Sequence, residues 1–314
     1  MAVYDKSGNI LSHVYGKIGA ELACAYDKNG NVIHTAGEPI PDYSSYSYVQ
    51  KWTSKGVSNT QGFDIYDDKV FWVSKSGNSS VPANCYVWNL SDGSQAFDTA
   101  YVTVQSGHGN NLSFAYPKLY ATSAYAPSSC YINSVSADLK TYTLDKTLVF
   151  DDGSTDCDAC IDETDSTILW TLGHTAGSSD TSAPYLISKW DLTELTDNGD
   201  GTYTPTCLQT VQTAQPANSY FFQGCKMHDG ILWYANGYSG SSTGAYVYGV
   251  DPDTGEVLYT IDCQTTAEPE GVAWVEDSDA VGGYAMHVGF QGMALRKYTF
   301  DAFREERKSV WTQS

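Results

Sequence analysis

The sequence predicts an all-β chain, and within that class a β-propeller of about five blades closed by a strand from near the N-terminus. Three observations predict it. Short β-branched and aromatic runs alternate with Gly, Asp, Asn and Ser turns along most of the chain. Four such runs make one unit, and the unit returns every 45 to 50 residues or so, roughly the length of a propeller blade. The last unit stops one run short, while an unmatched run, Tyr46-Ser47-Tyr48-Val49-Gln50-Lys51-Trp52, stands before the first.

The first unit sets the pattern. Gln61-Gly62-Phe63-Asp64-Ile65-Tyr66 turns at Asp67-Asp68 into Lys69-Val70-Phe71-Trp72-Val73-Ser74. A polar loop leads to Cys85-Tyr86-Val87-Trp88-Asn89-Leu90, and a turn at Ser91-Asp92-Gly93 leads to a run ending in Tyr101-Val102-Thr103-Val104. The second unit opens at Gly107-His108-Gly109-Asn110 and continues with Lys118-Leu119-Tyr120-Ala121-Thr122, Cys130-Tyr131-Ile132 and the run from Tyr142 to Phe150. The third opens at Cys157-Asp158-Ala159-Cys160, followed by Thr167-Ile168-Leu169-Trp170, Tyr185-Leu186-Ile187-Ser188-Lys189-Trp190 and a run near Cys207 to Val211. The fourth opens at Gln223-Gly224-Cys225, followed by Gly230-Ile231-Leu232-Trp233-Tyr234, Ala245-Tyr246-Val247-Tyr248 and Val257-Leu258-Tyr259-Thr260. The fifth has Glu268-Pro269-Glu270-Gly271-Val272, Tyr284-Ala285-Met286-His287-Val288 and Leu295-Arg296-Lys297-Tyr298. The run at Tyr46 to Trp52 is expected to supply its missing outer strand, which removes an exposed sheet edge. A β-sandwich would explain the alternation of runs and turns, but not a repeated meander that borrows a strand from the start.

Five blades at this period need roughly 230 to 260 residues. The chain of 314 residues therefore divides into an N-terminal segment (1–44), the propeller (45–300) and a short charged tail (301–314). Apolar residues make up 41% of the chain and aromatics 13%, enough for a sizeable core. The 24 Tyr suit strands with one wet face. A net charge of −20 argues against nucleic acid and against an anionic membrane surface as partners. No apolar run approaches the length of a membrane-spanning helix. Met1-Ala2-Val3-Tyr4-Asp5 has neither a basic nor an apolar leader region, so synthesis in a cytoplasm without a signal peptide is expected. The 8 Cys are scattered at strand ends, and most are expected to be buried thiols.

The N-terminal segment carries its own small repeat. Val3-Tyr4-Asp5-Lys6-Ser7-Gly8-Asn9-Ile10-Leu11 is echoed by Ala25-Tyr26-Asp27-Lys28-Asn29-Gly30-Asn31-Val32-Ile33, each reading as a hairpin with a Gly-Asn turn. Two hairpins are too small to stand alone. Glu38-Pro39-Ile40-Pro41-Asp42 reads as a linker.

Residues that open the first strands converge around a propeller axis: Gln61, His108, Asn110, Asp156, Asp158, Gln223, Glu268 and Glu270. Long polar loops between second and third strands reach the same face and bring Tyr125, His174 and Tyr238. Aromatic rings flanked by amides and carboxylates suit a sugar pocket, because rings cover C–H faces and polar groups take hydroxyls. His108, Asn110, Tyr125, Asp158, His174, Gln223, Tyr238 and Glu270 are therefore the candidate ligand-binding residues. The bland reading of the same amides and acids is hydrogen bonding between neighbouring blades.

Asp156, Asp158, Glu268 and Glu270 also fit a general acid/base pair or an oxygen-ligated cation, with solvated acids as the default. No catalytic residue and no metal ligand is singled out. No cofactor is expected, and calcium is the one ion left open by these acids and by the turns Asp197-Asn198-Gly199-Asp200-Gly201 and Asp251-Pro252-Asp253-Thr254-Gly255. The first of those turns reads better as a hairpin tip. Cys157-x-x-Cys160 has redox or zinc spacing, but on a strand its thiols face opposite sides. No nucleophile elbow, zincin motif or phosphate loop is present.

The paired Tyr-Asp-x-x-Gly-Asn elements at Tyr4 and Tyr26 resemble those of tail and baseplate-associated proteins in phages and prophages of gut Firmicutes. The openings Gln61-Gly62-Phe63 and Gly107-His108-Gly109-Asn110 resemble those of the five-bladed propeller in receptor-binding proteins of siphophages that infect Gram-positive bacteria. That resemblance implies a homotrimer on the virion tail tip whose propeller recognises a bacterial surface glycan and whose N-terminal segment meets other tail proteins. It assigns no individual residue, and no counterpart of the small domains that follow the propeller in that family is expected from these 314 residues. Three functions follow, in order: non-enzymatic host recognition, a propeller hydrolase or lyase using the axial acids on a saccharide or lactone, and a protein-docking platform.

Overall fold

The computed structural model describes residues 3–4, 10–11, 24–26, 32–35, 41–75, 82–123, 128–176, 183–213, 221–238 and 244–302. They are strands, turns and loops, with one 3-10 turn at Val281–Gly283. No helix among them is long and apolar enough to cross a membrane. The chain divides into two compact units, one of Met1–Ser47, Glu276–Tyr284 and Thr299–Ser314, the other of Tyr48–Val275 and Ala285–Tyr298.

In the first unit, β1 (Val3–Tyr4), β2 (Ile10–Leu11), β3 (Cys24–Tyr26) and β4 (Val32–Thr35) form one sheet in the order β2-β1-β3-β4. Each half of the N-terminal repeat is an antiparallel pair, and the halves join through Tyr4 opposite Tyr26. The same unit holds the start of β5 (Pro41–Trp52) and the end of β24 (Ala294–Ala302). There the Tyr43 and Phe300 rings meet edge-on at 4.9 Å, and Ser45 Oγ donates to Asp301 Oδ2 at 2.6 Å. β5 begins at Pro41, so Pro41 and Asp42 belong to a strand and not to a linker.

The second unit is built of meanders. β6 (Thr60–Tyr66), β7 (Lys69–Ser74), β8 (Ala83–Asn89) and β9 (Val102–Val104) pair in sequence order. So do β10 (Asn111–Ala115), β11 (Lys118–Ser123), β12 (Ser129–Val135) and β13 (Tyr142–Val149). β14 (Cys157–Ile161), β15 (Ile168–His174), β16 (Tyr185–Asp197) and β17 (Thr202–Thr213) follow. These two meanders merge into one eight-stranded sheet because β13 and β17 pair in parallel, Thr147 with Thr202 and Leu148 with Tyr203. β18 (Phe222–His228), β19 (Ile231–Asn236), β20 (Tyr246–Val250) and β21 (Val257–Asp262) form the next sheet. In the last, β22 (Pro269–Glu276), β23 (Tyr284–Phe290) and β24 are completed by β5. Trp52 Nε1 donates to Met293 O at 2.9 Å and Gln50 Nε2 to Leu295 O at 3.0 Å, so the early strand is fastened by side chains as well.

Local chemistry explains these elements. Asp67 and Asp68 have φ of 51° and 54°, and Asp229 and Gly230 have 52° and 70°, the left-handed pairs that turn a two-residue hairpin. The register of β6 on β7 shifts between Thr60 and Phe63, and that of β18 on β19 between Gln223 and Cys225. Both Gln-Gly openings are therefore β-bulges, which increase local twist.

Apolar clusters fill the spaces between successive meanders. One holds Phe71, Val87, Leu112 and Leu119; a second holds Ile132, Leu148, Leu169 and Trp190; a third holds Trp170, Ile187, Leu232 and Tyr248. A fourth packs Trp52, Met293 and Leu295 against Phe63 and Trp72. The β18–β21 sheet meets β22 through Trp233 and Trp274, 5.3 Å apart.

Candidate functional site

The first strands of the meanders approach one another at small residues. A Cβ on Gly62 would lie 2.5 Å from the Asn110 carbonyl oxygen. One on Gly224 would lie 2.9 Å from Gly271 Cα and 2.9 Å from Asn111 Oδ1, and one on Gly271 would lie 3.2 Å from the Phe63 ring. Glycine is required where backbones come this close.

Polar side chains stitch this meeting of strands. Asp158 is fully buried, and both its carboxylate oxygens accept from Asn110 Nδ2 at 3.1 Å. Gly224 N donates to its Oδ2 at 2.7 Å and Thr122 Oγ1 to its Oδ1 at 3.4 Å. Burial outweighs these donors and pushes the Asp158 carboxyl up to about 7. One residue along, Asn111 Nδ2 donates to the carbonyls of Ala159 at 2.8 Å and Cys225 at 3.0 Å. Gln223 Nε2 donates to Glu268 Oε1 at 2.9 Å, and Thr60 Oγ1 donates to Glu270 Oε1 at 3.4 Å. Burial, then the neighbouring Glu268 charge, holds the Glu270 carboxyl well above the usual range.

Toward the far ends of the same strands, Asp64 Oδ2 accepts from Phe114 N at 2.7 Å and from Lys226 Nζ at 2.6 Å. This ion pair is buried on the carboxylate side, at 1% exposure for Asp64.

The structure thus joins Asn110 to Asp158, Gln223 to Glu268, and Glu270 to Thr60. His108 is half-buried, and its amide donates to Ser123 Oγ at 3.4 Å. His174 ends β15, stacked 4.4 Å from Phe222 and edge-on to Tyr185, and burial holds its imidazole down to about 4. Tyr125 lies outside the described residues. Tyr238 is 44% exposed. Its ring meets that of Phe221 at 5.5 Å and 71°, and a Cβ on the preceding Gly237 would lie 2.9 Å from Pro269. Tyr238 is thus an exposed ring braced by Phe221, one residue beyond a glycine packed against Pro269, the neighbour in sequence of Glu268.

Thr60, Asp64, Asn111, Thr122 and Lys226 belong to this constellation and were not singled out from the sequence. The signal available was the alignment of Asp64, four residues into its unit opening, with Lys226 at the same place in the fourth unit. Cys157 and Cys160 sit in different apolar clusters, on the two sides of β14. Burial pushes the thiols of Cys85, Cys130, Cys157, Cys225 and Cys263 up, away from nucleophilic use, while Cys207 is exposed. Among the described residues, Glu163, His228 and Asp229 bring ligating atoms within 4.8 Å of one another, at the opposite end of β18 from Gln223.

No protein-family model and no curated protein matches the chain. Solved structures do. A tail fiber of a Staphylococcus aureus phage is similar over 82% of this chain and 53% of its own, at 13% identity and a TM-score of 0.45. The chain thus spans about half the length of that tail fiber. The WD40 domain of Toxoplasma gondii coronin matches over 86% of this chain and 90% of its own, at 10% identity and a TM-score of 0.39. The WD40 β-propeller domain of Doa1 matches over 81% and 97%, at 12% identity and a TM-score of 0.41.

Proposed function

We infer that the second unit is a five-bladed β-propeller that serves as a recognition module without turnover: the host-binding part of a phage or prophage tail protein that takes a bacterial surface glycan. The five meanders, the circuit of contacts among their first strands and the strand that β5 lends to β22–β24 support the blade count. The observation that carries the function is the rim. An exposed tyrosine, braced edge-on by Phe221, follows Gly237, which packs on Pro269, and Pro269 follows Glu268 of an amide–carboxylate pair already fixed by its own hydrogen bond. Such a surface offers a ring for sugar C–H faces and oriented acceptors for hydroxyls. Asp158 and Glu270, by contrast, are engaged in holding strands together. In this reading the sheet β2-β1-β3-β4 attaches to other tail proteins, and the protein works as a homotrimer on the virion.

The test is binding to an array of Gram-positive wall glycans, with the mass in solution measured alongside. A trimer that binds wall glycans, and loses binding on Tyr238→Ala or His108→Ala, supports the reading. A protein that binds none overturns it.

One observation favours an enzyme instead: burial first, and then the neighbouring Glu268 charge, raise the carboxyl of Glu270, and catalytic acids are often raised in this way. A propeller hydrolase or lyase would release new reducing or unsaturated ends from wall polysaccharide, and Glu270→Gln would abolish that release.

A further inference from the structure

We propose that the glycan this protein takes is free of anionic groups, with neither phosphate nor uronate in its repeat. The proposal rests on the recognition reading above and names the substrate class of that same surface.

The argument starts from the balance of charge. The chain has 37 Asp and Glu against 17 Lys and Arg, a net charge of −20. A polymer with an anion on every repeat is repelled by such a chain within a Debye length, about 10 Å at 0.1 M salt. Holding that polymer takes cations that are gathered and available, above all arginines with their forked donors. Most cations of the second unit already have partners. Arg296 is the one arginine among the described residues. It donates to Cys263 O, and to Gln50 Oε1 at 3.2 Å, and its guanidinium lies over the rings of Tyr48 and Phe290. Lys226 pairs with Asp64, and Lys118 with Asp145. Lys55 lies over the Trp52 and Trp88 rings, Lys189 lies over Trp170, and Lys75 is buried.

The recognition surface leads to acceptors. Tyr238 follows Gly237, which packs on Pro269, and Pro269 follows Glu268. The charged group this path reaches is a carboxylate, set by Gln223 Nε2 at 2.9 Å. Glu270 lies two residues further along β22, and burial, then the Glu268 charge, holds its carboxyl well above the usual range. The start of β22 thus already resists a second negative charge on the protein. A phosphate or uronate brought to it meets the same field, which works against anionic polymers as unpaired like charges do at a selective interface. Sugar hydroxyls and ammonium groups, by contrast, donate to carboxylates.

The experiment uses the full chain on the wall-glycan array, with calcium and with a chelator, the polymers sorted by whether they carry phosphate or uronate. The best-bound polymer is then esterified to equal extent with acetyl groups, which are neutral, or with succinyl groups, which are anionic. All positives are expected in the class without anionic groups. The succinylated form is expected to bind roughly tenfold more weakly than the acetylated form at low ionic strength, with the gap closing at high ionic strength. A phosphate- or uronate-bearing polymer among the positives, in calcium or in chelator, would overturn the proposal and leave host recognition standing. So would equal binding of the succinylated and acetylated forms at low ionic strength. Binding to no glycan at all would overturn the recognition reading, and this inference with it.

Discussion

Asp158 and Asp64 lie toward opposite ends of the same set of first strands, and each is buried, yet their carboxylates are satisfied in different ways. Asp64 has a cation, Lys226, and two backbone amides. Among the described residues, Asp158 has only neutral donors: an amide side chain, a hydroxyl and one backbone N–H. Neutral donors orient a carboxylate but do not compensate its buried charge, so the Asp158 carboxyl titrates near neutrality. The strands are therefore clasped by an ion pair at one end and by a proton-sensitive network at the other.

Breaking the ion pair should have the largest effect. Lys226→Met leaves the Asp64 carboxylate buried beside backbone donors alone, with an expected loss of about 3–5 kcal/mol in chemical denaturation. The double variant Asp64→Asn with Lys226→Met should recover much of that loss. Next comes pH. Asp158 has a folded value near 7 against 3.8 in its ordinary state, so the folded chain holds a proton that the unfolded chain releases. Its contribution is complete below pH 3.8 and is lost as pH rises to 7, by about 4 kcal/mol for a shift of this size. Asp158→Asn should flatten the stability profile between those limits relative to wild type. Gly224→Ala, forced at φ 72° with its Cβ 2.9 Å from Gly271 Cα, should cost about 1–3 kcal/mol. Asn110→Ala removes the paired donor from Asp158 and should cost a similar or smaller amount, about 1–2 kcal/mol, read from the same unfolding curves.

The strand plan was legible because its signals are local. Turn residues such as Asp67-Asp68 and Asp229-Gly230 punctuate apolar runs, and a meander pairs neighbours in sequence. The strand that β5 contributes was legible by subtraction, from a unit with three runs and a run with no unit. Its start was not: Pro41 was read as a linker residue, although proline is tolerated at the first position of a strand. The β13–β17 pairing also escaped, since nothing in either run marks a parallel partner in the next meander.

The clasp was half legible. Asn110, Asp158, Gln223 and Glu270 stood out as polar residues at unit openings. Asp64 and Lys226, 162 residues apart, each read as the polar member of an alternating strand, and only the packing of strands makes them partners. The rim divides in the same way. Tyr238 was visible as a loop aromatic, whereas His174 proved to be a packed core ring, because its strand runs on to include it.

The clasp and the rim part most clearly when stability and binding are measured together, on purified wall polysaccharide, for Tyr238→Ala and Asn110→Ala. With Tyr238 on the surface, the account expects Tyr238→Ala to melt with wild type, within about 0.5 kcal/mol, and to lose glycan binding. It expects Asn110→Ala to melt lower and to bind with unchanged affinity while folded. Binding that survives Tyr238→Ala, or that vanishes in folded Asn110→Ala, would contradict it and move recognition from the rim to the axis.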